Sequence, residues 1–167
     1  MSHLQDDHPG VRSGAVEQPA LEFFARIDIE VGDPLVVGDT IDGIRRIIPI
    51  IGGSVAGPAI RGRVLNGGAD FQLIRSATLT ELEAKYALET EEGDRIYVEN
   101  LGLRSGTSED MARIARGESV DPARVYFMST PRLRSSSARW QHLDERLFVA
   151  RGRRTPDRVS LDVFMLT

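Results

Sequence analysis

The side chains able to carry chemistry in this sequence are few, and what is missing narrows the choice. There is no cysteine, which removes thiolate nucleophiles, disulfides and the strongest zinc ligands. Of three histidines, His3 and His8 sit in a polar N-terminal stretch, leaving His142 as the one imidazole inside the patterned part of the chain. A serine triad needs a histidine base, and no Gly-x-Ser-x-Gly elbow is present. What remains is acid/base and electrostatic chemistry by Asp70, Tyr86, Arg104, Tyr126 and His142. A carboxylate desolvated beside apolar walls becomes a stronger base, and a guanidinium stabilises an enolate or a carboxylate. That set suits proton transfer next to a carbonyl: isomerisation, cyclisation or dehydration of a small organic acid or ketone. Asp70 would be the base, with Arg104, Asn100 and Gln72 orienting the substrate beside Tyr86. Such chemistry calls for no cofactor and no metal. The alternatives are a non-catalytic carrier or sensor for a small apolar or aromatic ligand, and an assembly module pairing a sheet edge with a second copy.

The elements that must position these residues are strands. In Leu82–Leu88 one face carries Leu82, Ala84, Tyr86 and Leu88 while the other carries acidic and basic residues, the period-2 pattern of a half-buried strand. After Glu91-Glu92-Gly93-Asp94, a glycine-containing hairpin linker, Ile96, Val98, Asn100, Gly102 and Arg104 share a face. Pairing the apolar faces turns Tyr86, Leu88, Ile96 and Val98 inward and leaves Asn100 and Arg104 at one end of the inner face. An inward arginine costs several kcal/mol unless paired or wet. Arg104 therefore either leaves the strand for solvent or points into a water-accessible cavity with Asp70 and Gln72 as partners. In Gly67-Gly68-Ala69-Asp70-Phe71-Gln72-Leu73-Ile74, Asp70 and Gln72 share one face and Phe71 and Leu73 the other. The pattern alone leaves open whether the polar pair faces the interior or water.

The run from Ile48 to Arg75, followed by Leu82 to Gly106, resembles the family called domain of unknown function 3237, also known as uncharacterised protein family 0311. The resemblance rests on Ile48–Gly53, Gly57-Pro58, Gly62–Gln72, Leu82–Gly93 and Val98–Gly102, in order, with weaker matches at Tyr126-Phe127 with Pro131, Leu147–Arg153 and Val159–Phe164. It covers the chain from about Leu21 onward. Phe71 stands where the family pattern has Trp, and Glu92 where it has Asp. In place of an aromatic-x-Trp-Leu-Asn run, the chain reads Trp140-Gln141-His142-Leu143-Asp144, so Trp140 is displaced and His142 takes its position. If that segment lines the pocket, Trp140 and His142 join Tyr126 as ligand contacts and shift specificity. The resemblance implies a closed or nearly closed antiparallel barrel with a central pocket, and no established reaction.

Taken in order, residues 1–19 read as a polar tail and 20–167 as one β-barrel domain. Leu21–Val31 alternates cleanly and is the first strand. Val36–Thr40 is a loop or short edge strand. Arg45–Ile51 contains Pro49, which cannot donate to a ladder, so that strand is at an edge or bulged. Gly52–Pro58 lacks the phosphate-loop spacing and a following helix, and reads as a connection between strands. Ile60–Leu65 and Ala69–Arg75 follow, joined at Asn66-Gly67-Gly68. Thr107–Gly117, with its cap, acidic first turn and stopping glycine, is the one helix pattern, either plugging a barrel end or connecting on the surface. Val125–Thr130 is a strand stopped by Pro131, Arg132–Arg139 a loop, and Leu147–Arg151 with Arg158–Leu166 a closing hairpin. The total is an all-β, mainly antiparallel closed or nearly closed barrel of eight or nine strands with one short helix, enough to enclose one small ligand.

Residues 1–100 hold 9 basic and 17 acidic residues and residues 101–167 hold 12 and 8, with Lys85 the only lysine. A net charge of −4 without aromatic interleaving of the basic stretch argues against nucleic acid. No apolar run approaches the roughly 20 residues of a spanning helix, and the N-terminus has no apolar core. The expectation is a cytoplasmic protein that binds a small molecule, with no membrane partner, and able to form a homo-oligomer.

Overall fold

The computed structural model describes residues 16–167; the predicted N-terminal tail lies mostly outside them. Ten strands form one sheet: β1 (Leu21–Val31), β2 (Leu35–Thr40), β3 (Gly43–Ala56), β4 (Arg61–Val64), β5 (Gly68–Ser76), β6 (Leu79–Thr90), β7 (Arg95–Ser105), β8 (Tyr126–Arg134), β9 (Phe148–Thr155) and β10 (Arg158–Leu166). All pairings are antiparallel, and β1 pairs with both β10 and β3, which closes the sheet on itself. The ten strands occupy eight places. β4 and β5 lie end to end between β3 and β6, and β2 continues the line of β1 along β3. Among the described residues no helix is long and apolar enough to cross a membrane.

Three boundaries differ from the sequence reading, each for a physical reason. β3 runs through Gly52 and Gly53 to Ala56, where a connection was expected. A Cβ on Gly53 would lie 2.0 Å from the Asp28 carbonyl oxygen, and its φ is +134°, so this glycine serves close strand approach and not a loop. Pro49 is inside the sheet, paired with Ala69, and the bulge expected of this strand falls close by at Ile51, where Glu30 and Val31 of β1 pair with Gly52 and Ile50. Beyond it β1 gives way to β2, and the Pro49 carbonyl accepts from the Gly32 amide at 2.9 Å. The unpaired sheet edge belongs instead to β2, whose Leu35, Val36 and Val37 are exposed. Finally, β8 continues through Pro131 to Arg134. Its pairing to β9 is confined to Met128 and Ser129, so a proline beyond them forfeits no bond on that side.

The interior is asymmetric. Leu88, Ile96, Val98, Leu133, Trp140, Leu143 and Phe148 fill one end with apolar side chains. Burying each large one contributes about 1.5–3 kcal/mol. The other end lies beneath α1 (Ser108–Ala115), which links β7 to β8 and carries its own small apolar cluster of Met111, Ile114 and Val120. Thr107 caps that helix by accepting from the Asp110 amide, and Asp110, fully buried, pairs with Arg124 at 3.0 Å. The helix therefore belongs to the barrel end that holds the polar residues.

Gly152 shapes that end as well. A Cβ there would stand 2.5 Å from the Phe127 ring, so the phenyl lies flat on the β9 backbone. Gly152→Ala should lower the unfolding free energy by about 1–3 kcal/mol through overpacking, read from the urea midpoint. An unchanged midpoint would mean that Phe127 is not pinned.

Candidate functional site

Alternation decides which side chains reach the polar end of the barrel. In β5 it turns Asp70 and Gln72 inward and leaves Phe71 exposed. In β7 it turns Asn100, Gly102 and Arg104 inward, and the register sets Arg104 opposite Thr80 of β6 and Phe127 of β8. Together with Ile29, Ile48, Ile50, Leu161 and Val159, these residues enclose a cavity of about 40 Å³. That space suffices for about three waters or a comparably small chemical group. A smaller void lies under α1, and Arg104, Phe127 and Arg154 border both.

One hydrogen-bonded chain crosses the chamber. Arg46 donates through Nη1 to the Ala115 carbonyl at the end of α1 (3.0 Å) and through Nη2 to Gln72 Oε1 (2.9 Å). Gln72 Nε2 in turn donates to Asp70 Oδ2 at 2.8 Å. The chain stops there: Asp70 Oδ1 is buried without a partner. Arg104 is 3% exposed, its Nε lacks an acceptor, and its guanidinium carbon stands 5.8 Å from the centre of the Phe127 ring. Asn100 Oδ1, Ser129 Oγ and Tyr86 Oη are likewise buried and unpartnered. Buried polar atoms without partners are uncommon, and four of the residues that carry them here, Asp70, Asn100, Arg104 and Ser129, line the chamber.

Electrostatics follow from the burial. Desolvation raises the pKa of Asp70 above its ordinary value; the Gln72 hydrogen bond, the Arg104 charge, the Glu83 backbone and the Arg154 charge pull the other way without cancelling it. Desolvation pushes Arg104 down to about 10, opposed by Asp70 and reinforced by Arg154 and Arg46. Arg154 and Arg46 are lowered too, again chiefly by burial. Burial and the Asp70 charge both raise the Tyr86 hydroxyl. A half-buried carboxylate thus lines a chamber with Arg104 and Arg154 and is reached by the charge of Arg46 behind Gln72, and none of the three guanidinium groups is in an ion pair among the described residues.

The residues expected from sequence divide clearly. Asp70, Gln72, Asn100 and Arg104 come together, and the buried Tyr86 feels the Asp70 charge. Tyr126 does not join them: it is the outward residue next to Phe127, 58% exposed, and borders a groove of about 720 Å³ on the outer wall with Phe71, Leu103 and Met128. That groove is larger than the chamber, but its charged side chains, Arg45, Glu81 and Glu83, are open to solvent. Trp140 and His142 do not join either. Trp140 seals the apolar end, donating from Nε1 to Asp94 at 3.0 Å, and His142 stacks against it on the surface. Asp94 and Arg104 flank opposite ends of β7, roughly 30 Å apart at the rise of an extended strand.

Sequence reading missed Arg46, Ser129 and Arg154. All three were accessible to the alternation test applied to β5 and β7. Arg46 is in phase with Ile48 and Ile50, Ser129 with Phe127 and Leu133, and Arg154 with Phe148, Ala150 and Gly152.

A closed antiparallel barrel of eight strand places, apolar at one end and holding a buried carboxylate–arginine chamber at the other, defines the structural class. Residues 19–166 match the profile of a family described as "Protein of unknown function (DUF3237)", and the chain belongs to that family. A UPF0311 protein of Bradyrhizobium diazoefficiens is 49% identical over 142 residues, covering 85% of this chain and 93% of the relative. The crystal structure of a conserved protein of unknown function from Rhodopseudomonas palustris superposes with a TM-score of 0.85 at 43% identity, over 91% of this chain and 99% of that one. A structure described as an enzyme from Penicillium herquei shares the fold at a TM-score of 0.67 and 18% identity, covering 92% and 99% of the two chains.

Two outcomes are expected. The raised Asp70 makes ionisation harder in the folded state, so its contribution to stability is full below the ordinary carboxylate value of 3.8 and is lost as pH rises through the higher folded value. Urea midpoints followed between about pH 3 and 8 should show this declining limb in the wild type and not in Asp70→Asn. Trp140→Phe should cost about 1–3 kcal/mol of stability through the lost bond to Asp94 and leave that limb unchanged. An altered limb would couple the two ends of the barrel.

Proposed function

We propose that the protein is a cofactor-independent acid/base enzyme for a small organic acid or ketone, acting as an isomerase, cyclase or dehydratase in the chamber around Asp70. One observation carries the reading: Asp70 is desolvated with its Oδ1 oxygen free, while the Arg104 guanidinium beside it has no ion-pair partner among the described residues. In this reading Asp70 Oδ1 removes a proton from the carbon next to a carbonyl, and the charge that develops on the carbonyl oxygen is held by Arg104. Gln72, fixed between Arg46 and Asp70, keeps the carboxylate aimed and occupies its other oxygen. Asn100 and Ser129, which line the chamber, supply unfilled hydrogen-bond positions for the rest of the substrate, while Tyr86 stands behind the wall, within reach of the Asp70 charge. Return of the proton to a different carbon completes an isomerisation. Transfer of that proton to a departing β-hydroxyl, which leaves as water, gives dehydration, and attack of the enolate carbon on an internal carbonyl, with the proton passed to the new alkoxide, gives cyclisation.

Support from comparison is limited to the fold, which a fungal enzyme shares. Tyr126, Trp140 and His142 have no part in this mechanism, since they lie on the outer wall or at the opposite end.

The test is solvent deuterium exchange. Small 2-oxo acids, 3-oxo acids and simple ketones are incubated with the protein in D₂O, and loss of the proton signal next to the carbonyl is followed by NMR. Wild type should accelerate exchange of at least one of them over buffer, and Asp70→Asn should slow it by about a hundredfold to ten-thousandfold. Unimpaired exchange by Asp70→Asn removes Asp70 as the base. Tight binding without exchange by the wild type replaces the enzyme with a carrier.

A further inference from the structure

We infer that Arg154, with Arg104, forms a seat for a carboxylate, so that the site takes a small monoanionic organic acid in preference to a neutral ketone. This rests on the reading of the chamber as a binding site and narrows its substrate class. Arg154 is the next-to-last residue of β9, and the phase of Phe148, Ala150 and Gly152 brings its side chain over the chamber mouth.

Arg46, Arg104 and Arg154 act on one another and on Asp70, which is the only carboxylate lining the chamber. Arg46 already donates through both terminal nitrogens to neutral acceptors, Gln72 and the carbonyl at the C-terminal end of α1, whose partial negative charge favours a cation, and only its Nε is left without a partner. Arg104 and Arg154 have no such arrangement. Neither makes an ion pair among the described residues, and Arg154 has only a long contact of 3.5 Å to the Arg158 carbonyl. Two like charges drawn partly out of water repel each other, and an anion placed between them reverses that penalty. A carboxylate matches the guanidinium fork, and Ser129, with its buried hydroxyl unpartnered, stands ready to donate a further bond.

The remaining walls exclude other anions. Ile29, Val31, Ile48, Val159 and Leu161 leave an apolar lining that favours a short hydrocarbon body over a fully hydrated ion. Asp70 adds its own negative charge, which disfavours a dianion such as phosphate more than a monoanion. The volume of about 40 Å³ also favours a compact head group.

The experiment uses the full chain with 2-oxobutyrate, its neutral methyl ester and inorganic phosphate, titrated by calorimetry or protein-observed NMR. The acid should bind roughly tenfold or more tighter than the ester and than phosphate. Arg154→Gln should lose about tenfold or more for the acid and little for the ester, while Arg154→Lys, keeping charge without the fork, should fall between them. Asp70→Asn should retain or strengthen binding of the acid. Equal binding of acid and ester, equal binding of phosphate, no measurable binding of the acid, or an Arg154→Gln protein that is folded and binds unchanged would each overturn the proposal. Deuterium exchange stays a separate readout. Carboxylate preference without exchange sinks the acid/base reading alone, whereas exchange of ketones without carboxylate preference sinks this one alone.

Discussion

A guanidinium taken out of water must be met by acceptors, and this barrel holds three of them at one end with a single carboxylate between. Arg46 is met at both terminal nitrogens, by Gln72 and by the closing carbonyl of α1, and through Gln72 it fixes one oxygen of Asp70. Arg104 is met in part, by the face of Phe127 and the nearby Asp70 charge. The unsatisfied remainder is the open side of the chamber. Removing a partner from such a set leaves an uncompensated charge, so the arrangement constrains every strand that contributes to it.

The rest of the fold can be understood as what makes this end tolerable. The opposite end is packed with aliphatic and aromatic side chains under Trp140, which supplies stability without polar risk. Gly152 lets Phe127 lie against the backbone, and that ring in turn stands beneath Arg104. The segment between β7 and β8 folds into α1 over the mouth, with Asp110 and Thr107 holding its start and Arg46 its finish. The helix rests on an apolar cluster of its own, separate from the barrel core, and the Arg46 bond to the Ala115 carbonyl ties its end to β3. Strands broken at Gly32–Pro34 and Leu65–Gly67 let ten segments close an eight-place barrel without long connections.

Much of this was legible in the sequence because period-2 alternation carries the information directly. It fixed the β6–β7 hairpin, the inner face of β7 and the extent of β1 and β10. It also paired Asp70 with Gln72, although the sign of that face could not be read until the neighbouring strands were placed. Glycine and proline misled where they are read as breakers: Gly53 sits in a strand because β1 comes too close for a side chain, and Pro131 where β8 has no β9 neighbour to lose. Trp140 and His142 were drawn toward the pocket by their type and by the family pattern, yet the hydrogen bond to Asp94 ties that segment to the far end. Arg154 and Arg46 were passed over because single arginines among many look like solvated surface, and only their phase distinguishes them.

The central claim is that Asp70 sits in a desolvated chamber whose cations only partly compensate its charge. Its most direct test is a pH titration of the Asp70 carboxyl carbon by ¹³C NMR in the wild-type protein. The account predicts an apparent pKa above the ordinary 3.8, for a resonance missing in Asp70→Asn. A value at or below 3.8 would contradict it, showing a carboxylate either hydrated or fully paired with the arginines around it.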